Sequence, residues 1–352
     1  MLADEVDHVI GVDTHRDHHS AAVTTTAGAV AAQHTVGADS SGYAELLRFA
    51  DGEAPGARAW AIEGTGSYGA GLTAFLAGRG ERVVEIDRPK RPARRDGAKS
   101  DELDAIRAAR EGLSREHLCQ PRQRDWHEAL RVLMATRHGA VTAQTRAIGS
   151  LKSLIVSAPD LLRCQLRGLA TDQQLARCAR LRICADHSLE RRATTMALRA
   201  TARRALALQA EARELETEIA ALVADIAPDL LAEFGVGPIT AAQILLSYSH
   251  HQRFRDESAF ASHSGTSPIP ASSGQTVRHR LNRSGDRKLN RALHVIVLTR
   301  VAHDPKTRAY VERRTAQGKT PREIRRCLKR YTARHLYRLL QTNPNLTPIN
   351  PT

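Results

Sequence analysis

The chain has 352 residues, more than one hydrophobic core ordinarily fills, because single cores stop growing near about 250 residues; two or three packed units are expected. Lysine and arginine number 52 against 38 acidic residues, a formal charge of +14, which points to a polyanionic partner, with nucleic acid as the first candidate. No stretch approaches the ~18 consecutive apolar residues of a transmembrane helix, and the acidic opening MLADEVD lacks the basic flank of a secretion signal, so no membrane partner and a cytoplasmic, nucleoid-associated location are expected.

Val9 to Asp13 is a short apolar run, followed by Ser20 to Thr26 and, after a turn at Ala27-Gly28, by Ala29 to Val36; these read as a meander of strands. Ala59 to Glu63 and Val83 to Asp87 read as two more, separated by a helix over Ala70 to Ala77. The first hundred residues thus predict a β-β-β-α-β-α-β unit. A helix is expected over Lys99 to Arg110, with Ser100 as its N-cap and Asp101 and Glu102 in the first turn, where the helix dipole favours acids. His15, Asp17, His18 and His19, between the first two strands, read as a solvated loop without an assigned role.

From Trp126 to Asp225 the composition turns to Ala, Leu, Arg and Glu, which predicts helices. Leu198, Thr201, Ala205, Leu208, Ala212, Leu215, Ile219, Leu222 and Ile226 keep an unbroken three-four spacing, the pattern of a coiled-coil seam. Two covers are open: the helix from Trp126 to Val156 folding back, or another subunit. An ordinary amphipathic core helix would give the same pattern. The five cysteines, Cys119, Cys164, Cys178, Cys184 and Cys327, are scattered and never form a CxxC pair. They read as reduced, mostly buried thiols, neither a disulfide frame nor a zinc site.

After Pro228 the sequence becomes rich in glycine, serine and basic residues. Gly235 and Gly237, in LAEFGVGPITAA, sit between two helical stretches. They read either as a helix-hairpin-helix whose backbone N–H groups receive a DNA phosphate or as a plain helix cap and restart. Further on, Ser272 and Ser273 precede Gly274, with Arg278, Arg280, Arg283, Arg287, Lys288 and Arg291 following closely. A serine in a field of arginines fits attack on a phosphodiester, although a flexible loop beside a DNA-facing basic surface explains the same composition. There is no GxxxxGK[ST] segment to cradle a nucleotide, so no ATP requirement is expected.

Asp13 and Glu63 end two strands, and Asp101 and Asp104 share one face of a helix. Carboxylates from two strand ends and one helix face would suit a two-metal phosphoryl-transfer site, because magnesium takes oxygen ligands and paired ions stabilise attacking and leaving oxygens together. GVDTHRD around Asp13, EGTGSY around Glu63, KSDELDAIRAAR around Asp101 and Asp104, and PIPASSGQTVRH around Ser273 resemble the motifs of the insertion sequence 110 family of DEDD transposases. The resemblance implies a ribonuclease-H-like, RuvC-like catalytic domain over residues 1–118. It further implies a helical coiled-coil linker over 119–227 and a mostly helical C-terminal transposase domain over 228–352. It implies that Asp13, Glu63, Asp101 and Asp104 hold two magnesium ions and that Ser273, with Ser272 as the adjacent rival, bonds transiently to a DNA end. Donor and target DNA, a non-coding bridge RNA that chooses both, and a homo-oligomer, dimer or tetramer, with a composite site are the implied partners. Gly235, Gly237, Arg278, Arg280, Arg283, Arg287 and Lys288 are the candidate nucleic-acid contacts. Two rivals remain: a junction-resolving nuclease that activates water, and a non-catalytic nucleic-acid binder.

Overall fold

In the computed structural model of the protein the described residues are 1–86, 100–115, 118, 120–121, 125–271, 279–280, 282 and 284–347. They form two compact units, one drawn from the described residues of 1–124 with 249–253 and 347, the other from those of 125–248 and 254–346.

In the first unit the strands are β1 (His8–Thr14), β2 (His18–Thr25) and β3 (Val30–Gly37), then helix α1 (Ser40–Glu53), β4 (Arg58–Glu63), α2 (Ala70–Ala77), β5 (Arg82–Ile86) and α3 (Asp101–Ser114). The sheet order is β3-β2-β1-β4-β5, with β1 antiparallel to β2 and parallel to β4. This is a mixed sheet. Its central strands carry apolar residues on both faces because both are covered. Ile10, Val12, Trp60 and Ile62 pack with Leu46, Leu72 and Leu76 from α1 and α2, while Val9, Ala59 and Ala61 pack with Ala109 and Leu113 of α3. The predicted strands and the helix over Ala70 to Ala77 are present. The first hairpin runs further than the apolar runs indicated, because the His15 N–H donates to the His18 carbonyl oxygen at 3.0 Å and extends the pairing to the tip.

The second unit opens with two long helices, α4 (Asp125–Val156) and α7 (Leu189–Ile226), separated by α5 (Asp160–Leu166) and α6 (Thr171–Ala179). Leu130 near the start of α4 packs with Ile219 and Val223 near the end of α7, whereas Leu151 packs with Leu198 and Ala202 near its start. The pair is therefore antiparallel, and a bond from Arg137 to Glu216 at 2.8 Å bridges the middle. The apolar seam of α7 is covered by α4 of the same chain. Of the two covers left open by the spacing, the fold-back is the one observed.

Beyond α7 come α8 (Pro228–Ala232), α9 (Pro238–Tyr248), α10 (Glu257–His263), the two-residue strands β6 (Ile269–Pro270) and β7 (His279–Arg280), and helices α11 (Arg287–His303), α12 (Pro305–Ala316) and α13 (Pro321–Gln341). Their core joins Leu245, Tyr248, Phe260, Leu293, Ile296 and Leu336. The cysteines depart from expectation. Among the described four, Cys178 is buried, Cys327 is half-buried, Cys164 is exposed on α5, and Cys184 is exposed in the connection between α6 and α7. Cys119 lies outside the described residues.

Candidate active site

Strand periodicity and one glycine build the site. Residues 9, 11 and 13 of β1 face α3, since side chains alternate along a strand, and His15, just past its end, continues that face into the hairpin tip. At Gly11 the helix comes so close that a Cβ would lie 2.0 Å from the Ala105 carbonyl oxygen and 2.4 Å from the Ala109 nitrogen. The small residues Ala105, Ala108, Ala109 and Gly112 form the matching helical face. Ser100 caps the helix by accepting the Leu103 N–H at 3.3 Å, as its sequence position predicted. With the helix seated on Gly11, its first turn lies over the next outward residue of β1, Asp13.

Asp13, Asp101 and Asp104 fall in one neighbourhood. Burial holds the Asp13 carboxyl above its ordinary pKa, and the negative fields of Asp101 and Asp104 add to the effect while His15 opposes it. One imidazole ties two of these groups together, with His15 Nε2 3.1 Å from Asp13 Oδ2 and 3.3 Å from Asp101 Oδ1. His18 Nε2 lies 3.2 Å from Asp101 Oδ2. The two histidine rings stack with centroids 5.1 Å apart and planes 16° from parallel. Asp104 also receives Arg107 Nη1 at 2.6 Å.

Glu63 arrives by register. Val12 pairs with Ile62 on the parallel strand β4, so Glu63 follows at the C-terminal end of the strand beside Asp13. Its carbonyl oxygen accepts the Thr14 hydroxyl at 2.8 Å, which ties the two strand ends. Ala59 and Ala61 contact the α3 side of the sheet, and the same alternation assigns Glu63 to that side.

The solvated loop expected for His15 to His19 is not observed. His15 and His18 face each other across the hairpin tip against the carboxylates, and His19, fully buried, stacks on Tyr43 on the opposite face. Only Arg16 and Asp17 form the exposed turn, where they pair with each other at 2.9 Å. The signal available in sequence was the spacing Gly11-x-Asp13-x-His15, a single strand face continued past the apolar run.

The donor set fits a hard divalent cation: it is rich in carboxylate oxygen, and burial, with the fields of Asp101 and Asp104 added, raises the Asp13 pKa.

In the second unit, Gly235 has φ +81° and sits against α11, where a Cβ would meet the Ile296 carbonyl oxygen at 3.2 Å. The Gly237 N–H donates to the Thr240 hydroxyl at 3.0 Å. Arg287 and Lys288 are exposed at the start of α11, capped by Asp286, which accepts the Lys288 and Leu289 N–H groups at 2.7 and 3.1 Å. Arg280 lines a cleft of about 620 Å³ together with Arg314, Lys319, Arg326, Lys329 and Arg330. Among the described residues lining it the one acid is Glu323, already engaged by the Thr320 N–H and hydroxyl at 2.9 and 2.8 Å. Lys329 is held by Asn290 at 2.9 Å, and burial lowers its pKa. Apart from Arg280, the basic residues of this cleft were not singled out in the sequence. Ser272, Ser273, Arg278 and Arg283 lie outside the described residues, in or beside the segment joining β6 to β7.

Comparison with known proteins matches residues 10–158 to the DEDD transposase family of insertion sequence IS110 and residues 229–312 to the family described as transposase IS116/IS110/IS902. The chain belongs to the IS110 family of transposases. It is also 33% identical over 117 residues to an uncharacterized 43.6 kDa protein of insertion element IS110 from Streptomyces coelicolor. That match spans 32% of this chain and 29% of the relative. The DEDD match of this IS110-family chain contains Asp13, Glu63, Asp101 and Asp104, while the second match contains both glycines and the serine segment. No described helix is long and apolar enough to cross a membrane.

Proposed function

We propose that this IS110-family chain is the DNA strand-transfer enzyme of an insertion sequence, in which Asp13, Glu63, Asp101 and Asp104 hold two magnesium ions and Ser273 attacks DNA. The observation that carries the reading is the approach of the first turn of α3 to Asp13, which puts three carboxylates in mutual electrostatic reach. When bound, the magnesium ions would supply Lewis-acid stabilisation to the charge growing on the attacked phosphate. The protein's own part is to hold the carboxylates on a rigid sheet and helix and to bring a hydroxyl to phosphorus. The Ser273 oxygen forms a phosphodiester as it loses its proton. The bond from phosphorus to the departing sugar oxygen breaks, and that oxygen takes up a proton. A second strand's hydroxyl then reverses the exchange, so no nucleotide is consumed.

The proposal keeps a RuvC-like catalytic domain over 1–118, a helical linker over 119–227 and a transposase domain over 228–352. Donor and target DNA would be chosen by pairing with a bridge RNA, leaving the protein to read backbone and shape. Arg280, Arg287 and Lys288, with Arg278 and Arg283, are the proposed phosphate contacts, joined by Arg326 and Lys329 of the basic cleft. A homo-oligomer would let the serine of one subunit meet the carboxylates of another.

The test is to denature the reaction of chain, magnesium, DNA and candidate RNA and map any covalent protein–DNA adduct by mass spectrometry. An adduct on Ser273 that disappears in Ser273→Ala and persists in Ser272→Ala supports the reading. Continued cutting by Ser273→Ala means that water is the nucleophile.

A further inference from the structure

We infer that His15 and His18 join Asp101 in a cation subsite that takes a borderline transition metal, such as cobalt or zinc, beside the hard-ion ligands Asp13, Glu63 and Asp104. The inference takes from the proposed function only that the carboxylates bind a cation.

The backbone presents the two imidazoles together. Asp13 and His15 share the α3 face of β1 by period-two alternation, and the His15–His18 backbone bond sets the second imidazole directly across the hairpin. The tip residues Arg16 and Asp17 are spent on each other at the surface. One donor atom from each of His15, His18 and Asp101 lies within 4.8 Å of the others, before any ion is considered. His15 Nε2 lies 3.1 Å from Asp13 Oδ2 and 3.3 Å from Asp101 Oδ1, and His18 Nε2 lies 3.2 Å from Asp101 Oδ2, so both imidazole nitrogens are already turned to the carboxylates.

Ligand chemistry then selects the ion. Imidazole nitrogen suits zinc and cobalt far better than magnesium, which holds to oxygen and water. A purely structural pair of histidines would need only one polar contact each. His15 instead contacts two carboxylates at once, which places its nitrogen among the oxygen donors.

The experiment titrates the full chain with cobalt(II) in excess magnesium and records the visible ligand-field absorption. A saturable band is expected, and the cobalt midpoint should weaken more than about a hundredfold in His15→Gln and in His18→Gln, beyond the range seen for outer-shell partners. Glutamine keeps a polar group near the Nε2 position, so a merely hydrogen-bonding role would leave the midpoint in place. Should either variant misfold, diethyl pyrocarbonate labelling of the wild-type chain decides instead: cobalt, but not magnesium, should protect His15 and His18. No band, an unaltered midpoint in both folded variants, or labelling indifferent to cobalt overturns the inference. Magnesium-dependent cutting without a cobalt band sinks this inference alone. A cobalt band lost in both variants, in a chain that never forms a DNA adduct, sinks the strand-transfer reading and leaves the ligand set standing.

Discussion

Replacing Gly11 by alanine is expected to uncouple the fold from the cation site. The new Cβ would meet the Ala105 carbonyl oxygen at 2.0 Å, the Ala109 nitrogen at 2.4 Å and the Ala109 Cβ at 2.9 Å. All three atoms belong to α3, and two are backbone, so no side chain can turn aside. The helix must retreat by roughly 1.5 Å to regain ordinary van der Waals separation. Overpacking of this kind costs about 1–3 kcal/mol. Asp101 and Asp104 ride on the same helix, and a metal site tolerates ligand errors of only about 0.2 Å. In the wild-type chain, magnesium at a hundred times its dissociation constant adds about 2.7 kcal/mol of stability; in Gly11→Ala that increment should vanish. Urea unfolding with and without magnesium reads both effects. Gly139, exposed on α4 with nothing within 4 Å of its Cβ position, is the control, and Gly139→Ala should stabilise by about 1 kcal/mol with the increment intact. A Gly11→Ala chain that keeps both the wild-type midpoint and the magnesium increment would refute the seating of α3 on β1.

Asp13→Asn should stabilise the metal-free chain at neutral pH and lose the magnesium increment. Burial, then the fields of Asp101 and Asp104, raises the Asp13 pKa in the fold. The stability from its protonated form is complete below the unfolded pKa and is lost as pH rises through the folded one, so at neutral pH the charge is a liability. A metal-free Asp13→Asn chain that melts lower than wild type would contradict this assignment. Leu151→Ala, at a fully buried position between α4 and α7, should cost about 2–5 kcal/mol; a loss below about 1 kcal/mol by urea unfolding would argue against the antiparallel hairpin. Arg326→Ala and Lys329→Ala should each weaken DNA binding evenly across sequences and lower the salt-dependence slope by about one, read by fluorescence anisotropy; unchanged slopes would mean that the cleft does not hold DNA.

The parts of this protein that were legible in its sequence are those whose cause is local. The run VIGV and the segment AWAIE announce central strands because both sheet faces are apolar, and Ser100 announces a helix start because its hydroxyl caps a backbone N–H three residues on. The seam of α7 announces that something covers it, yet spacing alone cannot choose between a helix of the same chain and one of a neighbour. That choice is made by side chains far apart in sequence, such as Arg137 with Glu216 and Leu130 with Ile219. The basic cleft was hidden for a related reason. Arg326, Lys329 and Arg330 look like any solvated helical charge until Ile324, Ala333, Leu336 and Tyr337 identify the buried face of α13.

The histidines at the hairpin tip show where reading by hydrophobic pattern ends. The apolar run stops at Asp13 and the next begins at Ser20, so hydrophobic pattern alone ends the first strand there. Pairing does not need apolar side chains, however: the His15 N–H and the His18 carbonyl oxygen continue the ladder because each is left with a partner opposite. Once the ladder continues, alternation alone dictates that His15 shares a face with Asp13 and Gly11, and that its partner across the hairpin does too. Gly11 admits the helix, Asp13 meets its first turn, and His15 is left bridging Asp13 to Asp101. Three consecutive outward positions of one strand thus carry the close packing, the shared carboxylate and the nitrogen donor, so a shift of register by one residue would dismantle the packing and the site together.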